Sequence, residues 1–222
     1  MTMNRRDMMA SGLAAFGASL WTGSALAQAA ATEAGAAAGA APLAPDAAEA
    51  AVDPDLPARL RPALVTMRAN LPAGQVHVFP DHFQLFWTLP NRQAWRYGIR
   101  VGRKGLYEPG RYYVGAKKEW PSWKPTPDMI EREPEHYGKY AEEGMEGGPN
   151  NPLGARALYL FQEGRGDTYL RIHGTADEWS IGRAVSNGCA GLTNEQIKLL
   201  YTKVPMNATV VLYPKMIPAG VS

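Results

Sequence analysis

Beyond residue 75 the chain rarely sustains a helical period; short runs of aromatic and β-branched residues are instead cut apart by Gly, Pro and Asn. Seven such runs stand at residues 76–79, 83–88, 95–101, 112–114, 157–161, 169–172 and 208–213. Runs this short bury little surface alone, so they must pair, and the expected fold is mainly β with few short helices. One exception is residues 193–202. There Thr193 is placed to cap a helix, Gln196 follows three residues later as in a capping box, and Ile197, Leu200 and Tyr201 make one apolar face. Residues 57–70 predict a second short helix inside a lead-in at 57–75, because Pro57 opens it and Leu60, Leu64 and Met67 are spaced by four and three.

The region ahead of these runs has a different character. Residues 1–27 carry Arg5 and Arg6, then a weakly apolar stretch, then Ala25-Leu26-Ala27, which fits the small-x-small rule of an export signal. Adjacent arginines point to the twin-arginine route, with Sec as the alternative. Ser11, Gly12, Gly17, Ser19, Thr22, Gly23 and Ser24 make the stretch too polar for a stable span, so no membrane span is expected after cleavage. Residues 28–56, rich in Ala with Pro and Gly and without an apolar face, read as a flexible linker. That leaves 76–217 as the folded domain, expected in the periplasm or cell envelope.

With 222 residues, one core is the default. Lys and Arg number 23 against 21 Asp and Glu, and the acids gather in the linker, leaving a mildly basic domain. Basic clusters interleaved with aromatics are missing, so nucleic acid is not an expected partner. A single cysteine excludes an intramolecular disulfide framework, and the lack of Cys/His spacing argues against zinc. His77, His82 and His136 read as surface or strand-edge residues.

Cys189 itself is either buried filler or a working thiol. In an exported chain a partnerless thiol is open to oxidation, which is easier to explain if the thiolate is used. Ser186-Asn187-Gly188 before it and Ala190-Gly191 after it are small and turn-prone. Such a backbone can aim successive N–H groups at one point, as an oxyanion hole requires. His173, closing the run at 169–172, is the candidate base.

Ile172-His173-Gly174-Thr175, Ser180-Ile181-Gly182, Ser186-Asn187-Gly188-Cys189 and Leu192-Thr193-Asn194 follow one another in an order that resembles the L,D-transpeptidase catalytic domain of the YkuD type. Upstream, Pro121 to Pro127, Gly148 to Gly154 and Arg156 to Leu160 resemble the run ahead of that segment in many members. The likeness covers roughly 76–212 and implies an L,D-transpeptidase-type β-sandwich or partly open barrel. Carried over, it makes Cys189 the nucleophile, His173 the general base and the Gly174 carbonyl the group that orients the imidazole. Backbone N–H groups of Gly188 and Cys189, with Asn187 as a further donor, match the oxyanion hole, and the Ser186 hydroxyl supports the loop. One departure stands out: the usual cysteine-x-arginine is Cys189-Ala190-Gly191 here, which removes a cation from beside the nucleophile. Arg183, Arg156 and Lys124 are candidates to replace it.

The resemblance implies an enzyme that transfers the diamino-acid carbonyl of a peptidoglycan tetrapeptide stem, through a cysteine thioester, to an acceptor amine on another stem or a wall-linked protein. It implies no metal or organic cofactor. A carboxypeptidase or amidase hydrolysing the same thioester, and a non-catalytic wall-binding module, are the alternatives. Trp120, Trp123, Tyr137, Tyr140 and Trp179 flank the motifs, either as walls of a stem-peptide groove, with Trp123, Trp179 and Arg183 as substrate contacts, or as ordinary loop packing. Residues 121–152 are long for a structureless connection and suggest a lid.

Overall fold

Pairing of the β-prone runs produces eleven strands in the computed structural model, which describes residues 53–216. The expected export signal and linker residues 28–52 lie outside the described residues. The strands are β1 (Ala63–Thr66), β2 (Val76–Phe79), β3 (Gln84–Thr88), β4 (Gln93–Gly98), β5 (Val101–Gly102) and β6 (Gly110–Glu119). They continue as β7 (Arg156–Gln162), β8 (Gly166–Thr175), β9 (Ala184–Ser186), β10 (Ala190–Thr193) and β11 (Thr209–Leu212). Among the described residues three short α-helices join them: α1 (Pro127–Arg132), α2 (Pro134–Tyr137) and α3 (Asn194–Lys203). The mainly β expectation with few short helices therefore holds.

Nine strands form one mixed sheet in the order β1-β4-β3-β2-β11-β6-β7-β8-β10, while β5 and β9 pair separately. Neighbours in the large sheet are antiparallel except β2 with β11 and β8 with β10. A parallel pair needs a crossover of a dozen or more residues. The segment between Thr175 and Ala190 supplies it with a 3-10 turn at Glu178–Ser180 and the short strand β9. The sixteen positions separating His173 from Cys189 are thus mostly that return path.

The expected helix over 57–70 does not form. Only a 3-10 turn at Ala58–Leu60 appears, after which β1 pairs antiparallel with β4, Ala63 opposite Arg96. Pro62 explains the difference: it lacks the N–H that a helix would need there, and Val65 and Thr66 favour the extended chain. Leu60 still becomes buried, packing with Leu56 and Ile181 in a small satellite core.

The main core draws Val76, Val78, Leu85, Tyr97, Ile99, Leu158, Ile172, Leu192 and Val210 from the strands, and Ile197 and Leu200 from α3. α3 starts as expected: Thr193 Oγ1 accepts from the Gln196 N–H at 3.2 Å. The Gln196 side chain does not complete the capping box, however. Its Nε2 donates to Asp53 Oδ2 at 2.8 Å, and Thr193 Oγ1 donates to the same carboxylate, whose charge suits a helix N-terminus. Burying Ile197 and Leu200 fully contributes about 1.5–3 kcal/mol each, which fixes α3 against β7, β8 and β10. His77, expected near the surface, is buried on β2 with Nδ1 at 3.2 Å from the Tyr213 hydroxyl; burial, then Arg111, lowers its pKa.

Candidate active site

Parallel pairing of β8 and β10 sets Ala190 opposite Ile172, Gly191 opposite His173 and Leu192 opposite Gly174. Ile172, Leu192 and Ala190 turn into the core, and a side chain on Gly174 would meet Ile197 of α3. Because side chains alternate along a strand, His173 and Arg171 lie on the other face of β8, away from α3. Cys189 enters β10 from its N-terminal end, beside Arg171.

The half-buried Cys189 thiol donates to the Tyr169 carbonyl at 3.9 Å and accepts from the Arg171 backbone N–H. Tyr169 owes its orientation to an irregular stretch of β8. The β7 partners step from Tyr159 opposite Arg171 to Phe161 opposite Asp167, and Tyr169 takes a left-handed φ of 61°. Its N–H bonds Asp167 Oδ1 at 2.9 Å, which offsets part of the cost of that conformation. A bulge of this kind re-aims backbone groups, here toward the sulfur.

His173 is 3% exposed, with Nδ1 at 2.7 Å from the Gly174 carbonyl oxygen. A carbonyl only accepts, so Nδ1 carries the proton and Nε2 keeps its lone pair. Burial, followed by the Arg100 guanidinium, pushes the imidazole pKa down to about 3, while the Gly174 and Leu153 carbonyls oppose that shift. Burial likewise pushes the Cys189 thiol up, and the Arg171 N–H, Arg171 guanidinium and Arg100 pull it back. Arg100 thus acts electrostatically on both groups. Burial thus disfavours the charged form of each group.

The loop before the thiol is closed by Ser186, whose hydroxyl donates to the Cys189 carbonyl at 2.6 Å. Gly188 has φ 120°, and a Cβ there would lie 2.9 Å from the Leu106 carbonyl oxygen, so glycine is required. Among the described residues, neither the Gly188 nor the Cys189 amide donates to a backbone carbonyl in a turn or loop. Asn187 is engaged through its side chain: Nδ2 donates to the Tyr137 hydroxyl at 2.8 Å, and Oδ1 accepts from Arg103 at 2.8 Å and Arg132 at 3.2 Å.

Those contacts tie residues 121–152 to the site. Thr126 caps α1 and Pro127 opens it, Glu133 pairs with Arg103, and Tyr137 of α2 reaches Asn187. Trp123 stacks at an angle on Tyr137 and Tyr140, with ring centroids 6.0 and 5.7 Å away, so it packs the inside of this segment. Trp179 is 83% exposed at the crossover turn, and Arg183 lies exposed just beyond it.

None of the three expected replacement cations is the one acting on the thiol. Arg156 pairs with Glu119 at 3.0 Å, and Lys124 Nζ donates to the Glu142 carbonyl at 2.8 Å. The thiol's cationic neighbours are Arg171 and Arg100. Arg171 lay within the segment singled out from the sequence, yet nothing about its spacing marked it. Arg100 reaches the site through an isolated bridge to Gly191, which carries no local sequence signal. Among the described residues, no group of three His, Cys, Asp or Glu side chains is placed to hold a metal, and no helix is long and apolar enough to cross a membrane.

The profile of the YkuD family, described as the L,D-transpeptidase catalytic domain, matches residues 74–212. A Fuscovulum blasticum protein from the ATP synthase subunits region, named as an L,D-transpeptidase, is 32% identical over 67% of this chain and 82% of its own length. The Escherichia coli K12 protein named probable L,D-transpeptidase YbiS is 39% identical over 50% of this chain, and the match spans 35% of that relative. The chain thus spans most of the first of these relatives and about a third of the second. A solved chain from Brucella melitensis, described as a probable carnitine operon oxidoreductase, is 41% identical over 78% of this chain and 99% of that one, at a TM-score of 0.48.

Proposed function

The chain belongs to the YkuD family of L,D-transpeptidase catalytic domains, and on that premise we propose that it transfers acyl groups from peptidoglycan tetrapeptide stems through a thioester on Cys189. The observation that supports this reading is the pairing across β8 and β10. It sets Gly191, two residues after the lone thiol, opposite a histidine whose Nδ1 is locked on a carbonyl. As the Cys189 sulfur attacks the carbonyl of the third, diamino-acid residue of the stem, His173 Nε2 takes its proton. The amides of Gly188 and Cys189 hold the oxyanion, a contribution of about 3–4 kcal/mol per donor in comparable sites. Collapse expels the terminal D-alanine with the proton returned by His173, and an acceptor amine then displaces the thiol. Burial disfavours the charged form of each group, which suits transfer of the thiol proton to His173 as the sulfur attacks.

Ser186 serves as loop support and Gly174 as orienter of the base. Trp179, exposed beside the crossover, and Arg183 offer contacts to the stem. Trp123 shapes the segment over the site from inside. An export signal at residues 1–27 would deliver the protein to the periplasm, where its substrate lies. Purified protein incubated with tetrapeptide muropeptides tests the reading by mass analysis. Cross-linked dimers or exchange of the terminal residue are expected, together with their loss in Cys189→Ala. Shortened monomers alone would make the protein a hydrolase of the same thioester, and an unchanged Cys189→Ala would remove the sulfur from the chemistry.

A further inference from the structure

Gly191 is not in a left-handed conformation, so its lack of a side chain must be explained by space. A Cβ built there would lie 2.5 Å from Arg100 Nε, 2.8 Å from its Cγ and 3.1 Å from its Cδ. The two residues are locked together by reciprocal backbone hydrogen bonds, Arg100 N–H to Gly191 O at 2.8 Å and Gly191 N–H to Arg100 O at 3.0 Å. The Arg100 side chain therefore runs through the volume that a residue at 191 would fill, two positions after the thiol and opposite His173.

What holds the guanidinium is weak. Nη1 reaches Ser180 Oγ at 3.5 Å, Nη2 reaches the Pro152 carbonyl at 3.4 Å, and Nε is buried without a partner. Among the described residues no acid forms an ion pair with Arg100, although Asp177 and Cys189 are its electrostatic neighbours. Arg171, the other cation near the sulfur, is neutralised by a two-pronged pair with Asp167 at 2.7 and 2.8 Å, and its guanidinium lies over the Tyr159 ring. A buried cation left without a counter-ion is costly unless an anion forms beside it.

We propose that Arg100 is the positioning residue that stabilises the Cys189 thiolate, its side chain crossing from the strand-bridge partner into the space that Gly191 leaves free. The role rests on the reading of Cys189 as nucleophile. The charged groups acting on the sulfur are Arg100 and Arg171, and Asp177 acts on Arg100 in turn; Arg171 is paired with Asp167, whereas Arg100 has no ion-pair partner among the described residues. Removing it raises the energy of the thiolate, and returning a guanidinium from position 191 restores it.

Cys189 is the only cysteine, so its alkylation by iodoacetamide reads the thiolate directly, without any stem peptide. The pH profile of that rate is measured on the full chain for wild type, Arg100→Gln and the exchange variant Arg100→Gly/Gly191→Arg. Arg100→Gln should move the profile up by about one pH unit, an approximately tenfold slower reaction near neutrality. The exchange variant should bring it back to within about threefold of wild type. Gly191→Arg alone should lower the melting temperature, because Arg100 already fills the space. A folded Arg100→Gln with an unmoved profile overturns the proposal, and so does a folded exchange variant that stays slow. If Arg100→Gln does not fold, the exchange variant alone decides. Failure of the transfer reading looks different: normal alkylation and restoration, with no product from muropeptides.

Discussion

A histidine held neutral inside a folded domain makes that domain sensitive to acid, and His173 gives the effect a size. Its folded pKa is about 3 against 6.5 for the free side chain. Between these values the unfolded chain binds a proton that the folded chain refuses, so folding is opposed as pH falls. The contribution of neutral His173 is complete above 6.5, erodes below it, and is lost by the time pH reaches about 3. At about pH 5, some 1.5 units below the unfolded value, the loss amounts to about 2 kcal/mol. With 3% exposure there is little solvent to screen it. Replacing His173 by Asn keeps an amide N–H able to donate to the Gly174 carbonyl but removes the titration. Urea unfolding of both proteins at about pH 8 and about pH 5 should show wild type losing about 2 kcal/mol more than His173→Asn across the interval. His77 shifts in the same direction and is common to both, so it cancels. Equal losses would refute the argument, since they would mean that the buried imidazole takes up its proton as readily folded as unfolded.

Gly174→Ala should destabilise the domain by about 1–3 kcal/mol through overpacking. Its methyl would strike Asn194 Oδ1 and lie 2.9 Å from Ile197 Cγ2, and a lowered urea midpoint checks it. Lys117→Met removes the ammonium that donates to the Tyr201 and Val204 carbonyls, both at 2.6 Å, at the end of α3. A loss of about 1.5–3 kcal/mol is expected, and an unchanged midpoint would contradict it. Asn187→Ala releases Tyr137, Arg132 and one Arg103 contact. Amide exchange across α1 and α2 should accelerate about 5- to 30-fold with little change in global stability.

What could be read from the chain ahead of the structure was local. The runs at 76–79 and 83–88 form strands because Val, Phe and Trp suit a pleated, half-buried surface, and Thr193 caps α3 because its hydroxyl meets an amide three residues on. Cys189 and His173 stood out by chemistry. The helix expected near Leu60 failed because apolar spacing was weighed without the veto of Pro62, whose ring belongs to the backbone and not to the pattern. Arg100 was invisible for a different reason. Its meaning arises only where it meets Gly191, and an isolated bridge between distant segments leaves no periodicity behind. The same holds for the Tyr169 carbonyl, aimed by a bulge, and for Asn187, whose partners come from α1, α2 and the loop after β5.

The place of β11 makes it the seam of the large sheet. That strand lies between β2 and β6, so within the nine-stranded sheet it joins the strands β1 to β4 to those that carry β8 and β10. It is also the last strand in chain order among the described residues. Without Thr209–Leu212 the edges of β2 and β6 that face it would both be unpaired. The four residues of β11 thus hold a ladder on each side, and their loss would leave two sheet edges open to pairing with other chains.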